Sequence, residues 1–133
     1  MSGIGIRYAP SAIVDAAHQA AAATLVVGER VPPQTFVRAA DARPVDVQDI
    51  LPADTRFKLL VFGGDVGVPE ERAALQRVAD ALDKPENFLR RFGRADGAGG
   101  WEVFDVLCFS TGRQDAVTYL GERLDQRMFL TCA

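Results

Sequence analysis

Two long apolar runs, Phe57–Phe62 and Trp101–Phe109, enclose a segment whose apolar residues return at helical spacing. No other feature constrains the chain as much. Phe57-Lys58-Leu59-Leu60-Val61-Phe62 is nearly continuous apolar sequence, with Lys58 the exception, and predicts a strand covered on both faces. Trp101 to Ser110 predicts a second such strand through Val103, Phe104, Val106, Leu107, Cys108 and Phe109. Between them Leu75, Val78, Ala79 and Leu82 recur at helical spacing. Pro69 suits the first turn of that helix, and Glu70 and Glu71 suit its positive end. Strand, helix and strand in this order form a parallel, right-handed β-α-β unit.

The flanking sequence adds smaller elements. Pro32-Pro33 forces extended chain. Thr35 to Ala39 predicts a strand, Asp41-Ala42-Arg43-Pro44 its turn, and Val45-Asp46-Val47 the returning strand of a hairpin. Val47 to Leu51 fits one helical turn, stopped by Pro52. Pro85 breaks the long helix, and Glu86 to Phe92 predicts a short one with Phe88, Leu89 and Phe92 turned inward. Gly93 to Gly100 reads as a loop, and Asp115 to Leu124 as a final helix with Val117, Leu120 and Leu124 as its apolar positions. Ala9 to Thr24 is rich in alanine, with Ser11 as a cap and Asp15 in the early turns. Alanine buries little area, so this stretch predicts a marginal surface helix or a connector. The expected organisation is a leading segment over 1–27 and one domain over 28–133, without internal repeats.

Composition excludes some classes. A chain of 133 residues suits one core. The formal charge of −3 argues against nucleic acid or an anionic membrane as partner. No apolar run approaches the roughly 20 residues of a membrane span. Met1-Ser2-Gly3-Ile4-Gly5-Ile6-Arg7 lacks the basic and apolar regions of a secretory signal. Cys108 and Cys132 lie far apart and make no disulfide framework, so the expected compartment is the cytoplasm.

Candidate chemistry is sparse. A redox thioredoxin needs Cys-x-x-Cys where the central strand meets its helix. That junction here is Phe62-Gly63-Gly64-Asp65-Val66-Gly67-Val68-Pro69, without cysteine and with an acidic residue where a thiolate needs positive potential. Cys108, inside an apolar strand, reads as a packed small residue; Cys132 has no base announced beside it. Gly3-Ile4-Gly5-Ile6-Arg7-Tyr8 begins like a dinucleotide fingerprint, but Tyr8 holds the third glycine position and no strand precedes it. The Gly63–Gly67 turn lacks the lysine and hydroxyl of a phosphate loop, and Asp65 repels phosphate. His18, the single histidine, has no announced zinc or triad partners and reads as solvated or capping. Arg90, Arg91 and Arg94 with Phe88 and Phe92 form a basic-aromatic cluster that suits phosphate groups or an acidic partner surface, or simply arginine heads in water with the phenylalanines in the core. Glu70-Glu71 is no catalytic dyad, since adjacent helical residues do not face each other. No catalytic, cofactor-binding or metal-binding residue is assigned.

The string from Gly28 to Asp65 resembles the C-terminal domain of the FAD-dependent phenol 2-monooxygenase family. It contains Gly28-Glu29-Arg30-Val31-Pro32-Pro33, Thr35-Phe36-Val37-Arg38, Asp41–Val45, Asp49-Ile50-Leu51-Pro52 and Phe57–Asp65. The likeness continues more loosely through the 69–83 helix and Phe104-Asp105-Val106-Leu107. It implies an α/β, thioredoxin-like domain, with an N-terminal hairpin plus a β-α-β unit, that serves dimerisation rather than hydroxylation. The parent enzymes use FAD and NADPH, and the chain lacks their FAD-binding glycine fingerprint. Ala42 stands at a turn position where the family favours glycine. Asp125 to Ala133 does not resemble the family's final hairpin, so the C-terminal part of the fold is expected to be cut short. The implied function is a non-catalytic dimerisation domain. The alternatives are a fragment or subunit of a flavin-dependent aromatic monooxygenase, or a thioredoxin-fold thiol protein. The expected partner is a second copy or a flavin domain.

Overall fold

The computed structural model describes residues 5–93, 102–113 and 129–132. The chain divides into two units, Met1–Pro33 and Gln34–Ala133.

In the first unit the alanine-rich stretch does not become a long helix. It forms a single 3-10 turn, Gln19–Ala22, with no buried residue. An isolated helix with only alanines to bury is marginal in water. Side chains take its backbone groups instead. Gln19 donates to the carbonyls of Ala22 and Leu25 and accepts from Val27 N–H at 2.7 Å. Ser11 caps no helix; it exchanges backbone hydrogen bonds with Val14. The ends of the unit meet where Tyr8 N–H donates to Gly28 carbonyl at 2.9 Å. Gly28 has φ +88°, and a Cβ there lies 2.5 Å from the Tyr8 oxygen, so only glycine fits.

Among the described residues the second unit carries a five-stranded mixed sheet. Its strands are β1 (Thr35–Arg38), β2 (Pro44–Asp46), β3 (Phe57–Phe62), β4 (Phe104–Ser110) and β5 (Phe129–Cys132), in the spatial order β2-β1-β5-β4-β3. β1 and β2 form the expected antiparallel hairpin, with Phe36 opposite Val45. Its turn holds Ala42 in the left-handed region at φ 58°. The helical turn α1 (Val47–Ile50) follows and buries Val47 and Ile50.

β3, α2 (Pro69–Asp83) and β4 make the predicted unit, with β3 and β4 parallel from Phe57↔Phe104 to Phe62↔Phe109. Pro69 opens α2 as expected. Leu75 is its one buried residue, while Ala79 and Leu82 pack partly buried against Leu89 and Val106. α3 (Phe88–Arg91) is capped by Asn87, whose side chain accepts from Leu89 N–H at 3.0 Å.

The two apolar strands are not equivalent. β4 lies inside the sheet and is buried from Asp105 to Ser110. Among the described residues β3 is an edge strand, and Phe57 and Phe62 are 68% and 57% exposed. The expectation that β3 is covered on both faces is therefore corrected, because an apolar run records hydrophobicity and not the number of neighbouring strands. In α3 only Leu89 turns fully inward; Phe88 and Phe92 remain exposed, although Phe88 meets Phe104 edge-on at 5.0 Å. β4 begins at Phe104, and Trp101, most of the glycine-rich loop and the 115–124 helix lie outside the described residues. β5, which the sequence did not announce, pairs parallel to β4 and antiparallel to β1, and so joins the hairpin to the β-α-β unit.

Candidate functional site

The junction between β3 and α2 is the strand-to-helix turn singled out by the sequence as the place for chemistry, and here its own residues satisfy it. Gly64 turns the chain at φ +67°. Asp65 Oδ1 accepts from Gly67 N–H at 2.8 Å. Glu71 reaches back from the first turn of α2 and accepts from Asp65 N–H. Ser110 at the end of β4 donates its hydroxyl to Gly64 carbonyl at 2.8 Å and accepts from Gly112 N–H at 3.0 Å. Two carboxylates thus sit at the positive end of the helix and use the donors that an incoming anion requires. The junction is built to hold two strands and a helix together, and its potential opposes a thiolate or a phosphate.

Cys108 lies on β4 in the core beside Val66 and Leu75, and burial pushes its thiol up to about 12. The neutral thiol is the stable form there, so it has no nucleophilic character at neutral pH. His18 is exposed and makes no side-chain cap of the 3-10 turn it precedes. Arg90 and Arg91 fall in the last turn of α3, and the Arg91 guanidinium lies 5.7 Å from the Phe92 ring centroid. Arg94 is outside the described residues. Among the described residues no group of three or more His, Cys, Asp and Glu is placed to hold a metal, and no helix is long and apolar enough to cross a membrane.

A charge cluster at the start of β3 escaped sequence reasoning. Lys58 and Asp105 are register partners on adjacent strands, and Lys58 Nζ lies 3.1 Å from Asp105 Oδ2. Asp54 accepts from Lys58 at 2.9 Å and from Arg56 Nη2 at 2.7 Å, and Arg56 reaches Asp105 at 3.2 Å. The hydrogen bonds from Lys58 and then Arg56 hold the Asp54 carboxyl well below the usual carboxylate range. Asp54 in turn raises the Arg56 guanidinium. The sequence signal was the pair of charged residues, Lys58 and Asp105, one inside each apolar run.

Beyond this cluster the rest of β3 is apolar, half-buried at Leu59, Leu60 and Val61 and exposed at Phe62. Leu59 and Val61 face α2 and α3, where they pack against Leu89 and Val106. Side chains alternate along a strand, so Lys58, Leu60 and Phe62 lie on the opposite face. There Phe62 stacks on Phe109 with ring centroids 5.2 Å apart while staying more than half exposed. On the α2 side of this edge a cleft of about 370 Å³ is lined by Val61, Phe62, Gly63, Glu71, Leu75 and Val78. Exposed large apolar groups gathered at one sheet edge mark an association surface more readily than a reaction site.

Comparison with known proteins agrees with that character. The model of the phenol hydroxylase C-terminal dimerisation domain matches residues 6–124. The FAD-dependent monooxygenase terD of Aspergillus terreus is 30% identical over 115 residues, which are 85% of this chain and 19% of that protein. The phenol 2-monooxygenase fsqG of Aspergillus fumigatus is 37% identical over 86 residues, 61% of this chain and 15% of that protein. The 3-hydroxybenzoate 4-monooxygenase of Comamonas testosteroni is 33% identical over 93 residues, 68% of this chain and 15% of that protein. The chain therefore spans less than a fifth of the length of these relatives. With the family match covering most of its residues, the chain belongs to the phenol hydroxylase C-terminal dimerisation domain family.

Proposed function

We propose that this chain is a self-association module, a thioredoxin-like dimerisation domain that performs no hydroxylation itself. The observation that carries the reading is the exposed apolar edge of β3 in a domain of this family. The parallel β3-α2-β4 unit, opening its helix on a glycine turn, supports the thioredoxin-like assignment. FAD does not fit the described residues. The β3–α2 junction is a strand-to-helix turn of the right kind for a pyrophosphate, but Asp65 and Glu71 occupy it. The partner is a second copy rather than nucleic acid or membrane, in keeping with the net charge of −3. The two separated cysteines point to a cytoplasmic home. Sedimentation velocity from about 1 µM to about 1 mM spans the weak protein affinities and is the test. A reversible monomer–dimer equilibrium is expected, and a monomer throughout defeats the reading.

A second reading is favoured by the short share of each relative that the chain covers. In it the chain is a piece or subunit of a flavin-dependent aromatic monooxygenase whose FAD and NADPH sites lie in other residues. Co-expression with a flavin-domain polypeptide and co-purification at a fixed ratio distinguishes this from self-association alone.

A further inference from the structure

The outer edge of β3 carries a specific pairing code. Phe57 N–H donates to Val103 carbonyl at 2.7 Å, and Gly63 N–H to Phe109 carbonyl at 2.8 Å. Backbone groups alternate sides along a strand, so residues 57, 59, 61 and 63 face β4. Lys58, Leu60 and Phe62 direct their N–H and C=O groups to the other side, where no strand pairs with them among the described residues. Proteins usually blunt such an edge with proline, a bulge or a free lysine. β3 contains no proline or glycine, and its register with β4 is unbroken. Its one lysine is drawn back onto Asp54 and Asp105, so its charge is already compensated.

We propose that this edge pairs antiparallel with the same edge of a second copy, about a two-fold axis at Leu60, giving one continuous sheet through both chains. The inference rests on the self-association reading and names the surface that performs it. Two-fold antiparallel pairing must set outward-facing residues opposite outward-facing residues. Centred on Leu60, all three find partners within β3. Leu60 faces Leu60 of the second copy, and Lys58 faces the second copy's Phe62. A centre at Leu59 or Val61 leaves one of the three without a β3 partner. The Leu60 centre also suits both faces of the sheet. On the helix side Leu59 meets Val61, both half-buried and apolar in one copy. On the other side the alkyl stem of Lys58 lies beside the second copy's exposed Phe62 ring, apolar surface against apolar surface, while its ammonium stays on Asp54 and Asp105.

Two experiments on the whole chain test this. In a Cys132→Ser background, Leu60→Cys places two thiols across a hydrogen-bonded strand pair, with Cα atoms roughly 5.5 Å apart and within disulfide range. Mild oxidation is expected to give a covalent dimer within minutes. Phe62→Cys, whose two copies are separated along the strands, is expected to remain mostly unlinked. Leu60→Pro removes an outward N–H without touching the ladder to β4 and is expected to weaken dimerisation at least about tenfold. Should Leu60→Pro fail to fold, judged by its circular dichroism, Phe62→Glu replaces it. A dimer that persists unchanged in a folded edge variant, or links equally through residues 60 and 62, overturns the β3 edge while leaving self-association intact. A wild-type chain that stays monomeric overturns both.

Discussion

Ser110 donates its hydroxyl to Gly64 carbonyl at 2.8 Å, fastening the end of β4 to the turn that leaves β3. The same oxygen accepts from Gly112 N–H and, at 3.5 Å, from Val66 N–H. Ser110 is 2% exposed, so water cannot replace it. Ser110→Ala leaves buried backbone groups without their partner and should cost about 1–3 kcal/mol. A urea titration followed by circular dichroism should show a clearly lower midpoint with an unchanged slope. An unaltered midpoint would mean that this hydroxyl is not part of the fastening.

Ala42 pairs its own N–H with Arg38 carbonyl at 2.9 Å while holding φ 58°. That conformation is unfavourable for an L residue with a side chain, and glycine adopts it freely. Ala42→Gly should therefore stabilise the domain by about 0.5–1 kcal/mol, the relief of strain exceeding the added unfolded-state entropy. The gain should show as a melting temperature a few degrees higher. A lower one would place the turn in another conformation.

Much of this architecture was legible beforehand, for identifiable reasons. The hairpin announced itself through Asp41–Pro44, and α2 through Pro69 and the recurrence of Leu75, Ala79 and Leu82. The position of β3 was not legible, since an edge strand rich in leucine and phenylalanine reads like a central one. The Lys58–Asp105 pairing depends on a register between residues 47 positions apart, which local patterning does not encode. β5 is four residues long and has no bounding turn signal, so only its neighbours in the sheet define it. In the site, the acidic character of the glycine junction was readable from Asp65 alone. The return of Glu71 onto Asp65 N–H was not.

Cys108 gives a pH signature at the alkaline end. Its thiol titrates at about 12 when folded and at an ordinary value, roughly 8.5, when unfolded. The folded state holds the proton more tightly across that interval. The contribution is complete below the unfolded value and fades as pH rises towards the folded one, by at most about 1.4 kcal/mol per pH unit. Stability should thus fall with pH above roughly 8.5, and Cys108→Ala should flatten the slope. At pH 8 the folded thiol should react with Ellman's reagent far more slowly than the same thiol in denaturant. Equal rates would refute its burial.

Asp54 acts at the acid end with the opposite sign. Lys58 and Arg56 hold its folded carboxyl below the range it has when unfolded. Its stabilisation is therefore present above the ordinary carboxylate range and is lost as pH falls through that range and below it. Asp54→Asn should lower stability at pH 7 by a small amount, and the deficit should shrink on acidification. A deficit that is constant down to pH 2 would assign the effect to packing rather than charge.

The place of β5 bears on how the chain is made. Residues 129–132 lie between β1 and β4, so among the described residues strand pairing links the hairpin to the β-α-β unit only through them, beside side-chain contacts such as that of Phe36 with Phe109. On the ribosome the hairpin is made well before that connector, and β4 only a short stretch before it. Until β5 is made both β1 and β4 keep an open strand flank, and contacts between segments so distant in sequence form slowly. Released chains cut short before Phe129 should accordingly be held by chaperones and cut readily by protease between the hairpin and β3. Chains released past Cys132 should become resistant in one step.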